Sequence, residues 1–333
     1  MSKSRSSLRS AMTSALAALV VMSPLALGIP AATADTAPVT AGVPKTVSAD
    51  GLPTVQVDGV VWQTAISGNT VFAGGQFSTA RPPGAAPGTS TTPRSNLLAF
   101  DIRTGALNTS FAPTLNGQVL AVAVSPDGSR VYVAGDFTQV NGVGRNRIAA
   151  LNTTTGALIS SFAPSLNSRG NTLLATSSSV YVGGDFSVAN AAARGRLASF
   201  RASDGALQPW APTADRNVLT MVMAAGKIVI GGTFENVNSA PGYGMAALDP
   251  VSGTRRPWAT TDLIRNAGPD AAITALTTDG TSVFGTGYAF LIHGGNAGNF
   301  EGTFAADADT GQVRWVADCR GDHYGVFSNG TAV

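Results

Sequence analysis

The stretch Val131-Tyr-Val-Ala-Gly-Asp-Phe137 constrains this chain more than any other. It returns as Val71-Phe-Ala-Gly-Gly-Gln-Phe77, Val180-Tyr-Val-Gly-Gly-Asp-Phe186 and Ile228-Val-Ile-Gly-Gly-Thr-Phe234, and a worn copy runs from Val283 to Phe290. A short apolar strand of this kind cannot bury its own face. A unit that recurs about every 50 residues must stack on its neighbours, and the usual all-β form of such an array is a propeller. The expectation is an all-β fold, a β-propeller of four-stranded blades over residues 54–333, with five complete repeats and the start of a sixth.

Within one repeat the strand signals come in a fixed order. Val119–Val124 is an apolar strand, and Ser125-Pro-Asp-Gly128 is a turn in which Pro presets one dihedral and Gly takes the awkward one. Val131–Phe137 is the second strand. A polar loop, Thr138–Arg147, leads to the third strand, Ile148–Asn152, and Thr154-Thr-Gly156 turns it into a fourth, Ala157–Phe162, closed by Ala163-Pro164. The last two strands recur in the other repeats and place one aromatic at the same point each time: Phe111, Phe162, Trp210, Trp258 and Trp315. An aromatic that follows the period of the fold is read as packing between blades, where large rings dominate the buried energetics, rather than as a sugar platform. Gly135, Gly184 and Gly232 are read as points of close backbone approach.

The chain opens on a leader. Lys3, Arg5 and Arg9 form a positive region, an apolar run follows from Ala11 to Ile29, and Ala32-Thr-Ala34 offers small residues to a signal peptidase. The expectation is a signal peptide over residues 1–34, cleaved between Ala34 and Asp35, then a flexible mature N-terminus over 35–53. No later segment has the roughly 18–20 apolar residues that a membrane-spanning helix needs. Removing the leader's three bases from the 21 leaves 18 against 19 acids, a net charge of −1. That is no footprint for nucleic acid or anionic membrane. The protein is expected to be secreted, or associated with the cell surface.

The texts "VYVGGDF", "N-G-x-x-R-N-R-(I/L)-A-A-L" and "x-x-T-G-A-L-x-x-x-F-A-P" resemble the β-propeller repeats of secreted actinobacterial proteins, the delta-60 type. They stand almost without deviation at 131–164, and at 180–212 with Ala191-Ala-Ala-Arg-Gly-Arg196 in the loop. The resemblance covers about 55 to 333. It implies the fold and export, and carries no agreed activity. Two places depart from the pattern and could hold a grafted site: the long loop Ser78–Ser95, and Thr286-Gly-Tyr-Ala-Phe290 with its successor Ile292–Asn296. The text at 305–315 also resembles repeats of quinoprotein propellers, which would imply pyrroloquinoline quinone, but the vicinal cysteines that often line such a site are missing, since Cys319 is the one cysteine. Cys319–Phe327 resembles the opening strand of a sixth repeat. This implies a longer propeller of six or seven blades, in which Cys319 either pairs with a cysteine beyond residue 333 or stays a lone buried thiol.

Catalytic chemistry finds little footing. Glu235 and Glu301 are the only glutamates, and many aspartates, such as Asp127, Asp204 and Asp279, fall in turns, so a flanking carboxylate pair for glycoside cleavage is not evident. His293 and His323 lack a nucleophile context for a Ser-His-Asp triad. Asp307-Ala-Asp-Thr-Gly311 has the first half of a calcium loop without its distal acid, and coincides with an ordinary interstrand turn. The reading is therefore a non-enzymatic interaction module with no catalytic residue, cofactor or metal. Its partner would be an extracellular polysaccharide or protein, and its candidate ligand rim is made of Asn141, Arg145, Arg194, Asn238 and Tyr243. The rival is a propeller enzyme, either a quinoprotein-like oxidoreductase or a polysaccharide-cleaving enzyme.

Overall fold

A computed structural model describes residues 52–290, 298–318, 321–330 and 333. The signal peptide, the cleavage point between Ala34 and Asp35, and Cys319 all lie outside the described residues. Five antiparallel sheets follow one another along the chain. Their first, second and third strands are Val60–Ser67, Thr70–Gln76 and Leu97–Asp101; Val119–Val124, Arg130–Gly135 and Ile148–Asn152; Gly170–Ala175, Ser179–Gly184 and Leu197–Arg201; Val218–Ala224, Lys227–Gly232 and Met245–Leu248; and Ala271–Thr278, Ser282–Ala289 and Gly302–Asp307. The first strands of successive sheets lie against each other.

The expected fourth strand forms in only two sheets, as Arg255–Arg256 and Val313–Asp318. In the first three it shrinks to single bridges, Phe100 with Leu107, Leu151 with Leu158 and Phe200 with Leu207. There the chain leaves the sheet at once to bury its aromatic against the next one. The loops between second and third strands fold into small hairpins instead, such as Gln139–Val140 with Val143–Gly144. The long loop Ser78–Ser95 does the same, with Thr79–Arg81 between Gln56–Val57 and Thr92–Pro93.

One glycine in each second strand stands opposite an irregularity repeated five times. Each first strand carries a β-bulge at the same register, at Trp62, Leu120, Asn171, Leu219 and Thr274. A bulge bends its strand and increases the local twist. A Cβ on Gly75, Gly135, Gly184, Gly232 or Gly287 would collide with the carbonyl oxygen of Val60, Gln118, Arg169, Asn217 or Ala272 in turn. The close-approach reading of these glycines thus recurs two residues before each bulge.

The sheets alternate their faces residue by residue, as strands must. Tyr132, Ala134, Ile148 and Ala150 pack toward the third sheet, and Val131, Val133, Ala149 and Leu151 toward the first. The periodic aromatics close these interfaces. Phe111 and Phe162 are fully buried and Trp210 and Trp258 are 3% exposed, whereas Trp315 is 43% exposed. Phe111, Phe162 and Trp210 stand edge-on to Phe72, Tyr132 and Tyr181, with centroids 5.0–5.1 Å apart. Trp315 lies tilted over Phe284 at 6.1 Å with no described sheet beyond it.

Residues 321–330 form no strand. They nevertheless lie beside the fifth sheet. Thr274 Oγ1 donates to the His323 carbonyl at 2.7 Å, much as Asn171 Nδ2 donates to the Val218 carbonyl at 3.2 Å between the third and fourth sheets. The Gly330 N–H donates to Ser328 Oγ as the Gly280 N–H donates to Thr278 Oγ1. No described helix is long and apolar enough to cross a membrane.

Candidate functional site

Loops between second and third strands emerge at one edge of each sheet, and four of the five candidate rim residues turn out to anchor them. Asn141 Oδ1 accepts from the Thr114 N–H at 2.8 Å while its Nδ2 donates to the Gly156 carbonyl at 3.0 Å. Asn238 repeats the pattern with Thr213 and Gly253, and Asn190 with Ser165 and Gly205. All three sit at positive φ, between 44° and 50°, a conformation that Asn tolerates better than most residues. Arg145 spans the Gly144 and Ser160 carbonyls at 2.8 and 3.2 Å, and Arg194 spans those of Ala193 and Gln208 at 2.9 and 3.1 Å. Arg94 makes the same clamp on Pro93 and Asn108. These bonds account for the recurrence of Asn141, Arg145, Arg194 and Asn238 without a ligand. Tyr243 differs: it is 39% exposed and carries the Arg265 guanidinium 5.0 Å over its ring.

A second anchor had escaped notice. Asp58, Asn116, Asn167 and Asp215 each receive two successive N–H groups from the start of the neighbouring loop, at Ser78 and Thr79, Thr138 and Gln139, Ser187 and Val188, and Glu235 and Asn236. The signal was an Asx residue recurring about 20 positions before each loop. Burial pushes the Asp58 carboxyl up, but the Ser78 hydroxyl and the N–H groups of Thr79 and Ser78 outweigh it and hold the group well below the carboxylate range.

Beside these anchors a polar rim runs along the ends of the second strands. Asp136 stands just after Gly135 and accepts from Gln118 Nε2 at 2.7 Å, while Arg147 Nη1 and Arg169 Nε each approach its other oxygen to 3.3 Å. Trp62 Nε1 donates to Gln118 Oε1 at 2.9 Å, which ties the network to the first sheet. Asp185 faces Arg196 at 3.9 Å, and Glu235 faces Arg216 at 3.3 Å. Arg147 and Arg196 hold φ of 71° and 66°, a region disfavoured for a residue with a Cβ. Between the third and fourth sheets the rim opens into a groove of about 530 Å³ lined by Arg196, Asp215, Arg216, Asn217, Thr233, Glu235, Gly268 and Pro269. Guanidinium, carboxylate and amide groups thus alternate on strand ends, a setting that can both donate to and accept from a polar ligand.

The turn at Asp307–Gly311 is fully employed by the chain. Asp307 Oδ1 accepts from the N–H groups of Asp309 and Thr310 and from the Thr310 hydroxyl, and Arg314 takes Oδ2. The Thr310 N–H and the Arg314 guanidinium hold this carboxyl far below its ordinary value. Asp101, Asn152 and Asp249 make the same turn, so it belongs to the repeat rather than to a cation site.

Comparison with known proteins agrees with this frame. The family model of the Rax2 C-terminal beta propeller domain matches residues 97–234, the stretch that holds the least worn repeats. The chain is a β-propeller repeat protein. Among solved structures, the computationally designed Ika4 protein aligns with 54% of this propeller chain and 91% of its own, at 17% identity and a TM-score of 0.36. No curated protein matches the sequence.

Proposed function

We propose that this propeller is an exported, non-enzymatic binding module whose ligand, an extracellular polysaccharide or protein, lies in the groove on the rim. The observation that carries the reading is the groove itself, with Arg216 and Glu235 paired beside Arg196, Asp215 and Asn217 on the ends of packed strands. Its volume lies within the range of about 300–1,000 Å³ typical of ligand sites. Asn141, Arg145, Arg194 and Asn238 belong to this reading as the anchors that hold the loops still, and Tyr243 as an exposed ring on the fourth. Export rests on the leader ending at Ala34 and on the likeness to secreted actinobacterial repeats. Five blades and the start of a sixth is the count that best matches the five sheets and the His323 and Gly330 hydrogen bonds.

The test is titration of the secreted protein against extracellular polysaccharides and proteins. Arg216→Ala and Glu235→Ala are expected to weaken the ligand found by about tenfold or more, the scale of a buried anchor at an interface. Binding that ignores both substitutions would sink the groove, and release of reducing ends or a bound quinone chromophore would sink the non-enzymatic reading. N-terminal sequencing of the secreted chain is expected to begin at Asp35.

A further inference from the structure

Of the aromatics that follow the repeat, Phe111, Phe162, Trp210 and Trp258 are buried and Trp315 is 43% exposed, and three further rings gather beside the fifth sheet outside that set. Counting from Val283 by strand pairing, the residue in the place of Phe137, Phe186 and Phe234 is Ala289, not Phe290. Phe137, Phe186 and Phe234 are fully buried, whereas Phe290 is 37% exposed. Tyr288 stands in the rim position that Asp136 and Asp185 fill in the second and third sheets. Tyr324, 65% exposed, joins it from the segment beside the fifth sheet. The three rings form one cluster: Tyr288 lies 4.9 Å from Phe290, inclined 38°, and 5.8 Å from Tyr324, inclined 42°. Phe290 leaves the period and is 37% exposed, so packing between the described sheets does not account for it, and exposed apolar surface marks interaction sites.

The cluster continues the groove. Pro269 lines the groove, and the next residue, Asp270, accepts the Phe290 N–H on its carbonyl at 2.8 Å. The Tyr288 carbonyl is fixed by Asn266 Nδ2 at 3.0 Å, and the Tyr324 hydroxyl donates to Asp322 Oδ2 at 3.1 Å. Burial, then the charges of Asp322 and Asp270, push the Tyr288 hydroxyl up, so it keeps its proton at neutral pH and can donate.

We propose that Tyr288, Phe290 and Tyr324 form a stacking platform for the pyranose rings of a neutral polysaccharide whose chain runs on into the groove. This deepens, and rests on, the binding-module reading. Ring faces cover the apolar C–H face of a sugar, while phenol and carboxylate groups at their edges meet its hydroxyls. The groove mixes bases with acids, so it does not single out a polyanion.

The experiment is calorimetric titration and affinity electrophoresis of the secreted chain against neutral soluble glycans: xylan, glucomannan and a β-1,3-glucan. One of them is expected to bind, with Phe290→Ala and Tyr324→Ala each weakening it by about tenfold or more and Tyr324→Phe close to the parent. Both residues are exposed, so the substitutions leave the fold intact. Platform variants that bind like the parent while Arg216→Ala fails would overturn the platform and leave the groove standing. Binding of none of the neutral glycans would overturn the platform as well, and a protein ligand sensitive to Arg216→Ala would then preserve the module reading alone.

Discussion

Replacing Phe162 with Ala tests the packing argument most directly. Phe162 is fully buried between the second and third sheets and meets Tyr132 edge-on at 5.1 Å. Emptying such a site costs about 3–5 kcal/mol in transfer energy and residual cavity, and the lost ring–ring geometry accounts for about 0.5–1.5 kcal/mol of it. Trp315 occupies the same place in its repeat but is 43% exposed. Truncating it therefore returns only part of a burial worth about 1.5–3 kcal/mol, so Trp315→Ala is expected to cost about 1 kcal/mol. Urea unfolding followed by far-UV circular dichroism compares the two. Stacked repeats can unfold in parts, so a single transition cannot be assumed. Native-state hydrogen exchange supplies the local reading: Phe162→Ala should loosen the amides of Arg130–Gly135 and Ser179–Gly184 and leave those of Ser282–Ala289 alone. Equal costs for the two substitutions, or a loss below about 1 kcal/mol for Phe162→Ala, would refute the claim that this position exists to join sheets.

Other perturbations separate the remaining causes. Gly135→Ala drives a methyl into the Gln118 carbonyl and is expected to cost about 3 kcal/mol or more, whereas Gly144→Ala, with open space around it, should leave the urea midpoint unchanged. Arg145→Ala removes two charge-assisted bonds to carbonyls and is expected to cost about 1–3 kcal/mol, with faster exchange confined to residues 139–145. The turn carboxylates set the acid limit. Asp101 is lowered to about 2, the Arg103 side chain being the largest cause, and Asp249 and Asp307 are lowered further. Their contribution is complete above the unfolded value near 4 and is lost as pH falls through the folded values. The urea midpoint should therefore be flat from pH 7 to about 5 and decline below about 4. Asp101→Asn, which copies the natural Asn152, should shrink that decline and keep the turn.

Much of the fold was legible because a repeat states its own rule several times. The first three strands, their turns and the buried aromatics each recur, and recurrence separates a rule from an accident. The fourth strand was less legible, since Ala157–Phe162 has the composition of a strand yet leaves the sheet to deliver Phe162 to the neighbour. Composition does not say which of two burials wins. The fifth repeat misled for a related reason: matching by aromatic type picked Phe290, while strand pairing puts Ala289 in that place. At the rim, Asn141 and Arg145 advertise themselves as polar, exposed-looking loop residues. Only the carbonyls they reach, at Gly156 and Ser160, show them serving the chain. The groove draws Arg196, Arg216 and Glu235 from loops and strand ends of different sheets, a juxtaposition that no linear spacing announces.

The glycine turns near the ends of the third strands have a consequence for how such a chain can grow. A Cβ on Gly156 would strike Pro113, one on Gly205 would strike Pro164, and one on Gly253 would touch Pro212, so the turns of the second, third and fourth repeats are each seated on the Ala-Pro exit of the one before. The second, third and fourth sheets are thereby latched to their predecessors by residues lying outside the sheets' strands. Removing one whole repeat, for example from Pro113 to Ala163, therefore brings the next turn back onto an Ala-Pro exit wherever in the repeat the cut is placed. Removing half a repeat leaves a turn with no exit to sit on. A library of deletions of varied length should accordingly yield folded chains when the missing length is one repeat, and not when it is half of one.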